Sequence, residues 1–496
     1  MTAFDATSPS NGGALNPFEL RRRWLAMDGN EAVLAWAGTR LGQALIFGAF
    51  AALILAVPLL RFKHSLIIAI GLGLTFVFPR RRFAMITGMG FLYFLVRPFR
   101  FEGHYGYFAQ IWQGWASPLP VQVGMSVLAL LFAFALLPYF ANQRSGTIGF
   151  ASRRPILSLF GLCVMLTGAT ALLPEETPVA QSLWIVLTFL SGAFFFIGYL
   201  LIDNRGKTGL AFNAKAGFMR PIWADGTVPI KGPNYLRKFE AGDETALART
   251  RLKALKLLVW ASILYAAWLL GFEHGIHGSL GFPRLATAIA GAGEDATYSL
   301  PMRWLIVGID FLSLIFWLGA VIHTLVAVIR LAGFAIPRGM AKPLASRTIA
   351  EFWGRYLFYF KELLADFFFY PTFQRFFKKS PRLRIAFATF VAAFIGNVLF
   401  DLITQTPFVA INGFWATIDN FYSYTIYAAI LTAGIIASQL HTAKARPEDG
   451  VLRYDVLPRI QVIGFFAALR VFDDSSGSLP VGDRVHFFLS LFGVSP

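Results

Sequence analysis

Charge is what this sequence has least of. Only 14% of its 496 residues are Asp, Glu, Lys or Arg, against about a quarter in an ordinary soluble domain. Too little polar surface is left to coat a water-soluble fold of this size, and with 56% hydrophobic residues and 52 Phe the chain reads as a membrane protein.

Cysteine is nearly absent too. Cys163, in LFGLCVMLTG, stands alone, which excludes an intrachain disulfide and any paired-thiol metal or redox centre; it reads as a small core residue. Also missing are GxxxxGK, HExxH, CxxC pairs and GxSxG, and GLGLTF and GAGEDA lack the spacing that phosphate binding needs. His274 and His277 in FEHGIHG have an i, i+3 spacing but no evident third ligand, so they read as interfacial loop residues and no metal is expected.

What is present is apolar length. Windows able to cross about 30 Å of hydrocarbon run over 41–60, 121–141, 155–173, 181–202, 257–272, 302–334, 385–403 and 421–440. Shorter apolar pieces at 65–79, 83–98, 460–472 and 485–494 suit tilted, re-entrant or interfacial helices. The expectation is an all-α, polytopic bundle with on the order of ten to thirteen membrane elements, because lipid offers the backbone no hydrogen-bond partner.

The net charge of +17 sits in short basic runs between these windows, such as Arg21–Arg23, Arg80–Arg82 and Lys378–Lys379. That pattern fits positive-inside topology and attraction to the headgroups of a lipid bilayer, not nucleic acid. Residues 1–40 are expected to be a cytoplasmic N-terminal tail, since 1–30 lack the apolar core and cleavage site of a signal peptide. Residues 41–202 follow as N-terminal membrane helices, 203–256 as a basic cytoplasmic loop, and 257–496 as a C-terminal membrane region. The loop carries eleven Lys or Arg against five acids. From Glu244 it reads as a basic juxtamembrane helix with a solvated, headgroup-facing side; docking of an anionic acyl donor is the sharper alternative.

Against this background RTIAEFWGRYLFYFKELLADFFFYPTF, residues 347–373, is unusual. On one continuous helix Arg355, Tyr359, Glu362 and Asp366 would form a single polar stripe, and Glu351 precedes Arg355 in the favourable order for an ion pair. A charge facing lipid costs at least about 2.5–3.5 kcal/mol, so at membrane depth the stripe must line protein or a wet cavity. Charges resting in water on an interfacial amphipathic helix are the other reading.

From Gly333 the chain reads GFAIPRGMAKPLASRTIAEFWGRYLFYFKELLADFFFYP. Gly333, Phe334, Pro337, Pro343, Arg347, Thr348, Ile349, Phe352, Trp353, Arg355, Asp366 and Pro371 fall in the order of a signature that resembles the membrane-bound O-acyltransferase family, in particular its bacterial branch acting on cell-surface glycans. The likeness spans the region 333–404. It implies a helical bundle around a central funnel, lined here by Trp353, Arg355, Tyr359, Glu362 and Asp366, in a bacterial cytoplasmic membrane.

It also implies a reaction: transfer of an acyl group, acetyl among the options, from an acyl-CoA or acyl-carrier thioester to a hydroxyl of a glycan or lipid acceptor. The thioester is a substrate, and no bound cofactor is expected. The family's two histidines are replaced. Tyr356 and Leu357 follow Arg355, and Gly396 and Asn397 stand where the catalytic histidine is expected. Asn397 cannot take up a proton but can donate to an oxyanion. Bases available in its place are His323, deep in LGAVIHTLVAVIR, and Asp401, one turn beyond Asn397, with the acidic stripe behind them. Two readings stay open: an acyltransferase with rearranged machinery, or the same scaffold without transfer chemistry, serving envelope-assembly proteins or conducting lipid or acyl groups.

Overall fold

Backbone polar groups that meet no water must pair within their own segment, and this chain does so with helices. The computed structural model describes residues 17–111, 123–132, 135, 154–204, 217–223, 229–291, 298–441, 447–474 and 476–494. Among them the only extended pairing is one isolated bridge between Glu240 and Phe334, so the all-α expectation holds.

Six described helices are long and apolar enough to cross a membrane: Pro155–Leu172, Pro178–Asn204, Glu244–Ser279, Leu300–Leu331, Pro381–Asn412 and Tyr422–Leu440. Two bent pairs raise this to eight if each counts as one span. Glu31–Gly38 meets Arg40–Ala56 at 89°, and Phe62–Val77 meets Pro79–Val96 at 114°. The chain is a polytopic helical membrane protein. Of the shorter expected pieces, Leu457–Leu469 and Val481–Ser490 have 13 and 10 residues, too few at 1.5 Å per residue to cross about 30 Å. Of the expected span 121–141, residues 123–132 form a short apolar helix, and 121–122, 133–134 and 136–141 lie outside the described residues.

Pro178–Asn204 is the axis of the bundle, with 94% of its apolar window buried. Phe195 stacks on Phe400 at 5.1 Å and meets Phe367 edge-on at 5.4 Å, while Trp184 Nε1 donates to Pro407 O at 3.0 Å. Pro407 lies inside the Asn397–Asn412 helix and cannot donate to the carbonyl of Ile403. Thr406 Oγ1 supplies that bond instead, at 2.9 Å.

Part of the 203–256 segment is buried. Residues 217–223 are buried among the helices, and the backbones of Gly217 and Gly90 approach so closely that a Cβ on Gly90 would lie 2.4 Å from Gly217 O. Ile222 O is bound by His64 Nε2 at 2.8 Å. The Glu244–Ala266 helix begins where expected, capped by Asp243 Oδ1 on Ala246 N at 2.7 Å. Its basic face is not wholly solvated. Arg251 is buried, stacks over Phe76 at 3.5 Å and donates to Thr75 O at 3.2 Å and Leu331 O at 3.4 Å, because carbonyls at two helix ends offer what water would.

Candidate functional site

The signature enters through an irregular segment. Gly333 has φ +103°, and a Cβ there would meet Leu247 at 2.8 Å and Arg82 at 2.9 Å, so glycine is required twice over. Backbone bonds tie the following residues to the buried insertion, Ala335 N to Phe239 O at 2.7 Å and Ala241 N to Gly333 O at 3.0 Å.

The Ile349–Tyr356 helix then starts on a side-chain cap. Thr348 Oγ1 accepts from Glu351 N at 3.1 Å, and Glu351 Oε2 accepts from Arg347 N at 2.7 Å. The expected i, i+4 pair forms, Glu351 Oε1 to Arg355 Nη2 at 2.6 Å.

The continuous stripe does not form. The helix stops at Leu357, φ −126° and ψ 68°, and Phe358–Leu364 starts a new one. The irregular segment wedges into the break: Ala341 N donates to Arg355 O and Gly339 O accepts from Phe358 N, both at 2.9 Å. Arg355 therefore parts from the rest and stays half-exposed on Glu351.

Tyr359, Glu362 and Asp366 turn inward. Lys231, from the insertion, reaches Glu362 Oε2 at 2.8 Å and Asp366 Oδ2 at 3.0 Å. Tyr199 of the axial helix donates to Asp366 Oδ2 at 3.1 Å, and Lys361 holds the other oxygen of Glu362 at 2.8 Å. Tyr359 Oη donates to Pro337 O at 2.9 Å. Burial pulls the Lys231 ammonium down, but its two carboxylate partners outweigh that and hold it above the usual lysine range. Burial likewise pushes Glu362 up, and the bonds from Lys231 and Lys361 prevail, leaving it below the usual carboxylate value.

Behind this cluster lies a cavity of about 230 Å³, lined by Trp353, Lys361, Glu362, Thr389, Ala393 and Gln439 among others. Thr389 Oγ1 donates to Gln439 Oε1 at 2.8 Å, and Gln439 and Tyr370 are exposed at its mouth.

Ala393 sits in a π-helical stretch, Val391–Gly396, that leads directly to Asn397. The π turn swings the helix against the Phe358–Phe369 region, so closely that a Cβ on Gly396 would lie 2.8 Å from Phe368. Asn397 is fully buried. Its Oδ1 accepts from Tyr424 Oη at 3.0 Å, and its Nδ2 has no partner. Asp401, one turn on, is an electrostatic neighbour of the same Tyr424. Beyond them Arg470 bonds Asp310 at 2.8 Å and also Asp473, whose charge reaches Asp401 and Tyr424.

His323 stands in a third place. It is buried in Leu300–Leu331, its Nδ1 has no partner, and the charges that bear on it are those of Arg338 and Arg330. Arg330 is in turn an electrostatic neighbour of Tyr359. The structure thus joins Asn397 to Tyr424, with Asp401 nearby, and Glu362 with Asp366 through Lys231.

Lys231, Tyr199 and Tyr424 were not singled out from the sequence. Lys231 looked like one more loop cation, and the tyrosines like ordinary members of an aromatic-rich chain. The pairs of Lys231 and Tyr199 span 131 to 167 residues, and that of Tyr424 spans 27 across two helices, so none leaves a local pattern to find. Cys163 is buried, as expected, beside Thr406 Oγ1 at 3.6 Å, and His277 Nδ1 bonds Phe282 O at 2.9 Å. No protein-family model matches the chain, and no curated protein matches it.

Proposed function

We propose that this chain is a membrane O-acyltransferase that moves an acyl group from a cytosolic thioester to a hydroxyl of a glycan or lipid. One observation carries the reading. A single helix, 381–412, lines the 230 Å³ cavity with Ala392 and Ala393 and then presents Asn397 and Asp401 over the next two turns, facing Tyr424 of a helix that lines the same cavity with Ile435 and Gln439.

The chemistry follows from proton bookkeeping. The acceptor oxygen bonds to the thioester carbonyl carbon, and its proton passes by way of the Tyr424 hydroxyl to the Asp401 carboxylate. The developing oxyanion takes a hydrogen bond from the unpartnered Asn397 Nδ2. Collapse breaks the carbon–sulfur bond, and the proton on Asp401 leaves with the thiolate. In this scheme Asp401 stands in for the imidazole of the resembling family, and His323 has no part in the transfer. Trp353 and Glu362 shape the cavity that holds the acceptor.

A second reading is favoured by Lys231. By neutralising Glu362 and Asp366 it turns the acidic face into a structural latch, as a scaffold without transfer chemistry would need. Radiolabelled acetyl-CoA and longer acyl thioesters, given to purified protein in nanodiscs with a panel of glycan and lipid acceptors, separate the two. Labelled product or thioester hydrolysis above a protein-free control supports the transferase. Neither, across the panel, leaves the scaffold.

A further inference from the structure

Two of the helices that line the 230 Å³ cavity are joined by a strongly basic turn. Phe369 and Tyr370 line the cavity where the Tyr370–Arg375 helix begins, and Thr389, Ala392 and Ala393 line it from the helix that starts at Pro381. Arg375, Lys378, Lys379, Arg382 and Arg384 lie between them, and the sequence holds no acid from Phe367 to Phe400. The side chains of Arg375, Lys378, Lys379 and Arg382 are exposed and meet no carboxylate, carbonyl or ring among the described residues.

Aromatic packing fixes the turn against the cavity. Arg384 stacks over Phe373 at 3.8 Å and its Nε donates to Phe373 O, while Phe373 stacks on the cavity-lining Phe369 at 5.5 Å. Phe376 and Phe377 close edge-on against Phe387, at 5.5 and 5.1 Å. The terminal nitrogens of Arg384 have no partner among the described residues, so its guanidinium is held at one edge and open at the other. Arg382 is placed by helical register. Thr389 follows it by seven residues and shares its face, which sets Arg382 about 10 Å outside the cavity wall at 1.5 Å per residue.

The cavity itself is small and polar at several points. At about 230 Å³ it is below the roughly 300–1,000 Å³ of pockets that take drug-sized ligands, so it suits a single ring and neither a nucleotide nor a long acyl chain. Thr389 gives its proton to Gln439 Oε1, which leaves the Gln439 amide nitrogen to donate, and Glu362 accepts beside them.

Given acyl transfer at this cavity, we infer that the acceptor is a glycosyl phosphate, its sugar ring in the cavity and its phosphate on Arg382 and Arg384. Trp353, Phe369 and Tyr370 supply apolar faces for the ring, and Glu362, Thr389 and Gln439 supply partners for its hydroxyls. Phosphate is the anion that an open guanidinium edge matches, because two of its oxygens accept parallel N–H bonds. A lipid headgroup resting on the turn leaves the cavity without an occupant, and a neutral sugar in the cavity leaves the cations without one. Nucleotide sugars and lipid-linked sugars both carry the required chemistry. Acylation then precedes glycosyl transfer, and a glycosyl-transfer reaction consumes the product.

Binding is measured without a thioester, so it does not depend on turnover. Full-length protein in phosphatidylcholine nanodiscs is titrated with glucose, galactose and mannose, their 1-phosphates, inorganic phosphate, UDP-glucose and farnesyl-diphosphate-linked glucose. At least one hexose 1-phosphate should bind about tenfold or more tighter than both its free sugar and inorganic phosphate, a factor that one charged hydrogen bond supplies. R382E, at an exposed residue with no partner, should remove the preference over free sugar, and R382K should keep most of it. Q439L, at the exposed mouth, and A393L, which fills the cavity, should bring the hexose phosphate down to the level of inorganic phosphate. Tighter binding of UDP-glucose assigns the soluble source, and tighter binding of the farnesyl-linked sugar the membrane one. No preference for any hexose phosphate, an unchanged preference in R382E, or loss of binding when phosphatidylglycerol is added to the nanodiscs would overturn the site. Sugar-phosphate binding without acyl transfer keeps the site and removes the reaction, whereas transfer without this binding removes the site alone.

Discussion

Tyr424 Oη donates to Asn397 Oδ1 at 3.0 Å, and Asp401, one helical turn beyond Asn397, is an electrostatic neighbour of the same tyrosine. When Asp401 is ionised, Tyr424 can donate to it; when Asp401 is protonated, it donates to Tyr424, which turns to Asn397. A switch of that kind is what the proposed relay requires.

Removing the relay should therefore cost activity and little else. D401N keeps the shape and loses the base, and should lower acyl transfer by about 10²- to 10⁴-fold. Y424F should do nearly as much, and H323A should leave the rate close to wild type. Initial rates with labelled thioester, beside a thermal-shift check on each variant, decide this.

Lys231 and Arg355 should separate sharply in stability. Arg355 pairs with Glu351 at the surface, where such bonds contribute about 0–1 kcal/mol, so R355A should be nearly silent. K231M strands two partly buried carboxylates and should cost on the order of 2–3 kcal/mol, somewhat less than a fully buried pair. E362Q/D366N added to K231M should restore part of that loss. Thermal unfolding in one detergent measures all four proteins.

Gly396 should not accept a side chain. The Cβ of G396A would press on Phe368 at 2.8 Å, and the π turn that delivers Asn397 would have to shift. A loss of about 1–3 kcal/mol is expected, the range of overpacked cores. G354A, where a Cβ meets nothing within 4 Å, is the control and should be tolerated in the same unfolding assay.

His104 should give stability a pH dependence. It is buried between Phe101 and Phe408, with Nε2 on Thr404 O at 3.2 Å, and burial lowers its pKa to about 4 despite that bond. The unfolded chain binds a proton near pH 6.5 and the folded one only near 4, so stability is full above about 6.5 and falls as pH drops toward 4. H104N should flatten that fall. Melting temperatures measured between pH 7.5 and 4.5 for both proteins report it.

Much of the fold was legible because lipid leaves the backbone few choices: seven of the eight long apolar windows became helices of matching position. The Glu351–Arg355 pair and the inward turn of Glu362 and Asp366 were also readable, being local in sequence. The break at Leu357 was not. Nothing in YLFYF forbids a helix, and it is the distant Gly339 and Ala341 backbone that makes the interruption favourable. Nor was the burial of 217–223, since polar, glycine-rich composition signals a loop and not where the loop lies. The pairing of Asp401 with Tyr424 escaped for the same reason, as two helices had to meet before it existed.

The most direct measurement is turnover by the reconstituted wild-type protein and D401N, assayed side by side with radiolabelled acyl thioester and a hydroxyl acceptor. If the helix carrying Asn397 and Asp401 performs acyl transfer, wild type forms labelled ester and D401N falls to the protein-free background. Equal signals from the two proteins, or none from either across donors and acceptors, would contradict it.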